Sequence, residues 1–236
     1  MTGSSEPERV RFAAGGREID LAVRISTRAR RLSLRVDPAQ GGIVLVLPSP
    51  RHRAEGLRFA RSRAAWILAR LAAVPERVPF ADGVTLPLLG RPHRIRHIPA
   101  GTAILSVADA EIRVGGPAHL LPRQVSSWLR VEARRLLVPR STAAAARIGR
   151  TVSGVAVRDT RTRWGSCSAA GTLSYSWRLI LAPEPVLDYV VFHEVAHLAE
   201  MNHGPRFWRL VAELMPEHVA ARRWLKANGA ALHRYG

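Results

Sequence analysis

Polar and apolar positions alternate in short runs through the first part of the chain. Arg9–Phe12, Ile19–Ile25, Arg31–Val36 and Ile43–Leu47 follow the two-residue period expected of half-buried strands. Asp37-Pro38-Ala39-Gln40-Gly41-Gly42 separates the last two runs with hairpin chemistry, and Pro48 and Pro50 end the fourth. The period then changes. Leu57, Ala60, Ala64, Ile67, Leu68 and Leu71 recur at helical spacing and predict a helix over Arg51–Val74. Strand-like patterning returns over Pro75–Gly116, broken at Asp82-Gly83, Leu89-Gly90, Ala100-Gly101 and Gly115-Gly116.

Gly115-Gly116-Pro117 marks the expected domain boundary, giving a β-rich region 1–116 with one helix and a second domain 117–236. Beyond it, Leu121–Ile148 reads as a helix stopped or kinked at Pro139. Val155–Asp159 and Thr172–Leu181 read as strands joined across Ser168-Ala169-Ala170-Gly171. Helices follow from Pro185 to Met201, from Pro205 to Leu214, and over Val219–Asn228. The fold class is α+β.

A composition of 47% hydrophobic and 23% charged residues is that of a soluble globular chain. No segment reaches the ~18 apolar residues of a membrane span. The start, Met1-Thr2-Gly3-Ser4-Ser5-Glu6-Pro7, lacks a basic segment and an apolar core, so no secretory signal is expected. Cys167 is the single cysteine and has no partner for an internal disulfide, which points to a cytoplasmic protein. Charge changes the picture more. Thirty-six basic against 18 acidic residues leave +18, a balance that favours polyanions such as nucleic acid. Lys226 is the only lysine, so the excess is arginine throughout, a skew that a GC-rich coding sequence also produces.

The chemistry concentrates in the last third. His193-Glu194-Val195-Ala196-His197 is an H-E-x-x-H sequence on a predicted helix with an apolar stripe of Leu187, Val191, Val195 and Leu198. Residues four apart share a helix face, so both imidazoles can reach one ion. Glu194 lies about 100° around the helix, placed to hold a water beside that ion without ligating it. A catalytic zinc takes three protein ligands and leaves a fourth position open. Zinc lowers the pKa of its water towards ~7, and Glu194 then serves as general base and afterwards as general acid to the leaving amine.

His203 is the favoured third ligand. On a continuous helix it would stand about 15 Å further along the axis and off the ligand face. A turn at Asn202, with Asn202 in a left-handed capping conformation, followed by Gly204-Pro205 starting a new helix, would bring it back. Glu200 is the rival, three residues after His197 on the same face, and Glu213 and Glu217 are weaker carboxylate alternatives. Trp164-Gly165-Ser166-Cys167 precedes the metal helix. Its glycine permits close backbone approach, and an exposed strand edge there can pair with an extended peptide. Trp164, Gly165 and Ser166 are therefore candidate substrate-binding residues. Trp177 is expected in the core, as are Phe207, Trp208 and Leu210 against the metal helix.

Thr162-Arg163-Trp164-Gly165-Ser166-Cys167-Ser168, Trp177-Arg178-Leu179-Ile180-Leu181-Ala182-Pro183, Asp188-Tyr189-Val190-Val191 leading into His193–Leu198, and Asn202-His203 with Phe207-Trp208 resemble the YgjP-like metal-dependent hydrolases. That family comprises minimal zincin-type metallopeptidase domains related to the SprT and WLM families. The likeness is strong from Arg158 to Leu225 and weak before Gly116, and Tyr175-Ser176 and His218 depart from the usual pattern. It implies a β-rich N-terminal region followed by a minimal zincin-like domain, zinc on His193, His197 and His203, Glu194 as the catalytic residue, and a polypeptide substrate. The alternative is a basic DNA-associated protein, either a protease recruited to DNA-bound substrates or a nucleic-acid-binding module with a structural metal.

Overall fold

The alternating runs at the start of the chain become a mixed four-stranded sheet. The computed structural model describes residues 8–14, 16–37, 42–72, 76–100 and 105–236. Two compact units form, Met1–Glu76 and Arg77–Gly236. In the first, β1 (Glu8–Ala14), β2 (Arg17–Ile25), β3 (Ser33–Asp37) and β4 (Gly42–Leu47) lie in the order β1-β2-β4-β3. The pleat sends Ile19, Leu21 and Val23 of β2 and Ile43, Leu45 and Leu47 of β4 to one buried face. The centre of the expected hairpin, residues 38–41, lies outside the described residues, but β3 and β4 pair antiparallel as it requires.

Two helices, not one, cover that face: α1 (Arg53–Ser62) and α2 (Ala64–Ala72). The break falls at Arg63, whose N–H is shared between the carbonyls of Phe59 and Ala60, the tightened end of a helix. The last two residues of the single helix expected from the spacing, 73–74, lie outside the described residues. Gly56 lets α1 close on the sheet, since a Cβ there would stand 2.4 Å from the Leu47 Cδ2.

The second unit opens with another four-stranded sheet. Its strands are β5 (Thr85–Leu88), β6 (Arg91–Ile98), β7 (Leu105–Ala108) and β8 (Glu111–Gly115), in the order β5-β6-β8-β7. Leu89-Gly90 and Asp109-Ala110 turn with positive φ at both residues, which suits tight hairpins. The expected boundary at Gly115-Gly116-Pro117 falls inside this unit. Leu86, Ile95, Ile112 and Val114 belong to the same core as the helices that follow, so the compact unit begins near Arg77. A Gly-Gly-Pro break is a turn between elements here, not a gap between cores.

That core is organised on α3 (Leu121–Arg147). Leu121, Val125, Leu129, Ala133, Leu137, Ser141 and Ala144 form one buried stripe. Helix α3 runs through Pro139 without stopping. Pro139 is exposed, while the stripe on either side remains buried, and that burial outweighs the lost hydrogen bond. Strands β9 (Gly154–Arg158), β10 (Gly165–Cys167) and β11 (Thr172–Ser176) make a three-stranded sheet ordered β10-β11-β9, with β10 at an edge. The strand expected to reach Leu181 ends at Ser176. There the Ser176 hydroxyl accepts from the Arg178 N–H and opens a 3-10 turn, Trp177–Leu181, whose residues are all buried. Then come α4 (Glu184–Ala196), α5 (Pro205–Leu214) and α6 (His218–Leu232). Helix α6 exceeds its expected end because Gly229 and Leu232 still face the core. Among the described residues no helix is long and apolar enough to cross a membrane.

Candidate metal centre

Pro183 and Pro185 open α4, and Val186, Leu187, Val190, Val191 and Val195 anchor it in the core. The helix ends at Ala196, five residues before the expected Met201, with His197 as its C-cap. Leu198 and Ala199 then bond back to the carbonyls of Val195 and Ala196 in a tightening turn. Asn202 does not take the left-handed conformation expected of it. Its carbonyl instead accepts from the Gly204 N–H at 2.7 Å, a three-residue turn, and extended Gly204 leads into Pro205 at the start of α5. The turn swings His203 back over the helix end.

Three imidazoles converge as a result. The ligand nitrogens of His193, His197 and His203 all lie within 4.8 Å of one another. Nε2 of His203 stands 3.1 Å from Nε2 of His193. Tetrahedral zinc with nitrogens at 2.0–2.1 Å would hold them about 3.3 Å apart, a spacing that the His193–His203 pair matches. The Nδ1–H of His197 donates to the Glu200 carbonyl at 3.0 Å, which fixes the ring and leaves Nε2 facing the cluster. Glu200 thus joins through its backbone. Among the described residues the cluster contains neither its carboxylate nor those of Glu213 and Glu217, nor the Cys167 thiol.

Neutral imidazoles are what a cation needs. Burial pushes the His193 ring down to about 4, with His197, His203 and Arg222 adding to the effect. Burial lowers His197 as well. Buried Phe207 of α5 lies against the triad, its ring centroid 4.9, 4.5 and 4.7 Å from those of His193, His197 and His203. Trp208 sits 5.9 Å from both His193 and His203.

Glu194 is 5% exposed. Burial pushes its carboxyl up to about 7, against the opposing charge of Arg163. Gly165 of β10 presses on it: a Cβ at Gly165 would lie 2.5 Å from the Glu194 Oε1. Of the three candidate substrate residues, Gly165 is thus placed against Glu194. Trp164 turns towards α6, where its indole packs against Gly229 and stands 5.0 Å from the His233 ring. Ser166 pairs with Ser174 across the sheet. Trp177 is in the core as expected, 1% exposed. Sequence reasoning marked His218 only as a departure from the family pattern and assigned Arg222 no role; the two stand one turn apart on α6, both against the Trp208 ring.

An α+β domain that gathers three imidazoles beside a buried carboxylate has the makings of a metal-dependent peptidase. The family model described as YgjP-like, metallopeptidase domain, matches residues 30–228, and the chain belongs to that family. No curated protein matches the chain. Among solved structures it is similar to the metallopeptidase zymogen of Pyrococcus abyssi abylysin, with 22% identity, 39% of this chain and 94% of that chain covered, and a TM-score of 0.36.

Proposed function

We propose that the protein is a zinc peptidase in which His193, His197 and His203 hold the ion and Glu194 is the general base. The convergence of the three imidazoles beside Glu194 carries this reading. Three nitrogen ligands with a fourth position open suit zinc. Bound there, the ion supplies a Lewis acid that polarises water and the scissile carbonyl. Glu194 takes the proton of the attacking water on its carboxylate and later delivers it to the leaving amine. Its raised pKa keeps both transfers close to balance near neutral pH. The edge of β10 is suited to hold an extended peptide by main-chain hydrogen bonds, with Gly165 bringing the backbone close to Glu194.

Glu194→Gln tests the mechanism. The variant should bind metal as the parent does and lose peptide hydrolysis by a factor of about 100 or more. Undiminished hydrolysis in the variant would remove Glu194 from the mechanism.

A further inference from the structure

Two arginines from different elements flank the histidine cluster. Arg163 stands two residues before Gly165, on the segment that enters β10, and is exposed. Arg222 projects from α6 with its guanidinium 4.6 Å over the Trp208 ring, the same ring that lies 5.9 Å from His193 and His203. Their charges are felt inside the site, Arg163 at Glu194 and Arg222 at His193 and Tyr189.

Some arginines of this unit are engaged by carboxylates, while others, Arg206, Arg209 and Arg223 among them, have no such ion pair among the described residues. Arg140 holds Asp188 and Glu184, Arg178 holds Asp159, and Arg113 holds Glu111 and Asp109. Among the described residues neither Arg163 nor Arg222 has an ion pair with a carboxylate. Arg222 is also pre-oriented, because the cation–π contact restricts its long side chain before anything binds. A carboxylate on a substrate gains charge-assisted and bidentate hydrogen bonds from such groups. A lysine or arginine in the same place meets like charge.

We infer that Arg163 and Arg222 make this site selective for acidic polypeptide segments. The inference rests on the peptidase reading above and names its substrate class. The net charge of +18 works in the same direction by drawing acidic chains in from a distance. Phosphodiesters would also suit guanidinium groups, but a strand edge next to Glu194 offers the main-chain hydrogen bonds that a polypeptide uses.

Binding and turnover are tested separately. The metal-loaded full chain carrying Glu194→Gln is titrated with a labelled glutamate-rich peptide and a lysine-rich counterpart, read by fluorescence anisotropy. The glutamate-rich peptide should bind more tightly, and adding Arg163→Gln with Arg222→Gln should weaken it about tenfold or more. Removing the same charge from β6 of the same unit, by Arg91→Gln with Arg94→Gln, should cost about twofold or less. Equal losses in the two double variants, or no loss in either, would overturn the inference. So would a duplex DNA oligonucleotide that displaces the peptide and loses the same factor in the Arg163/Arg222 variant, since the arginines would then be a general polyanion patch. In turnover by the chain with Glu194 intact, kcat/KM should be higher for acidic than for neutral peptides. Peptide cleavage without that preference sinks the selectivity alone. Selective binding with no cleavage of any peptide upholds the recognition and sinks the peptidase reading.

Discussion

The backbone of Gly165 meets the carboxylate of Glu194 so closely that no side chain fits between them. An ideal Cβ would lie 2.5 Å from both Cγ and Oε1 of Glu194 and 2.7 Å from Cδ. Gly165 is not among the positive-φ residues, so alanine suits its backbone, and the conflict is one of contact alone. Gly165→Ala should displace the Glu194 carboxylate or the β10 edge and lower kcat by about tenfold or more, with metal content unchanged. Metal analysis beside steady-state kinetics checks this. An alanine variant with the parent's kcat would show that the contact does not set the position of Glu194.

Third-ligand assignment has an equally direct test, because His203 and Glu200 act through different atoms. His203 offers Nε2 to the cluster, whereas Glu200 offers its backbone carbonyl to the Nδ1–H of His197. His203→Ala should lower metal affinity by more than about 100-fold, and Glu200→Gln should leave it nearly unchanged because the carbonyl remains. Competition with a chromogenic chelator measures both. A large loss in Glu200→Gln would return the ligand role to that carboxylate.

The parts of the site legible in the sequence were those set by short-range geometry. His193 and His197 needed only the four-residue helical repeat. His203 could be argued because Gly204-Pro205 forbids the helix to continue, although the turn closes through the Asn202 carbonyl and not through a left-handed asparagine. The burial stripe of α3 was legible too, but its passage through Pro139 was not, since that depends on what the helix packs against. Nor was the membership of β5–β8 in the same core as α3, a consequence of long-range packing that Gly115-Gly116-Pro117 does not report. Arg222 was hidden for a compositional reason. In a chain so rich in arginine, only its place over Trp208 distinguishes it.

Arg178 ties the end of the chain to the sheet beside the site. It is nearly buried, donates to Asp159 at 2.9 Å and to the carbonyls of Tyr235 and Leu232, and lies 4.5 Å over the Trp177 ring. Arg178→Met keeps the apolar stem but strands these acceptors, leaving Asp159 with Arg130 at 3.5 Å. A loss of about 3 kcal/mol in unfolding free energy is expected, read from urea denaturation. Arg178→Lys should recover only part of it, because an ammonium cannot reproduce the forked contacts. Stability equal to the parent's in Arg178→Met would mean that the carbonyls are rehydrated without cost.

Stability should also depend on pH through His233, whose ring packs on Trp164 and whose Nδ1 is buried without a partner. Burial lowers its pKa below the ordinary 6.5; the charges of Arg178 and Arg161 lower it further, and Asp159 opposes them. The unfolded chain therefore takes up a proton near pH 6.5 that the folded chain refuses until lower pH. Stability is then full above about pH 6.5 and is lost as pH falls from there towards the folded pKa, below which it levels off. His233→Gln removes this group from both states. Urea midpoints of the metal-loaded chain, measured from pH 7.5 down to pH 5 (approximate limits of the window), should fall more steeply for the parent than for the variant. Every other titratable group is common to the two proteins and cancels in that difference. Parallel curves would show that His233 titrates alike in both states, and a parent that gains stability relative to the variant on acidification would reverse the sign of the argument.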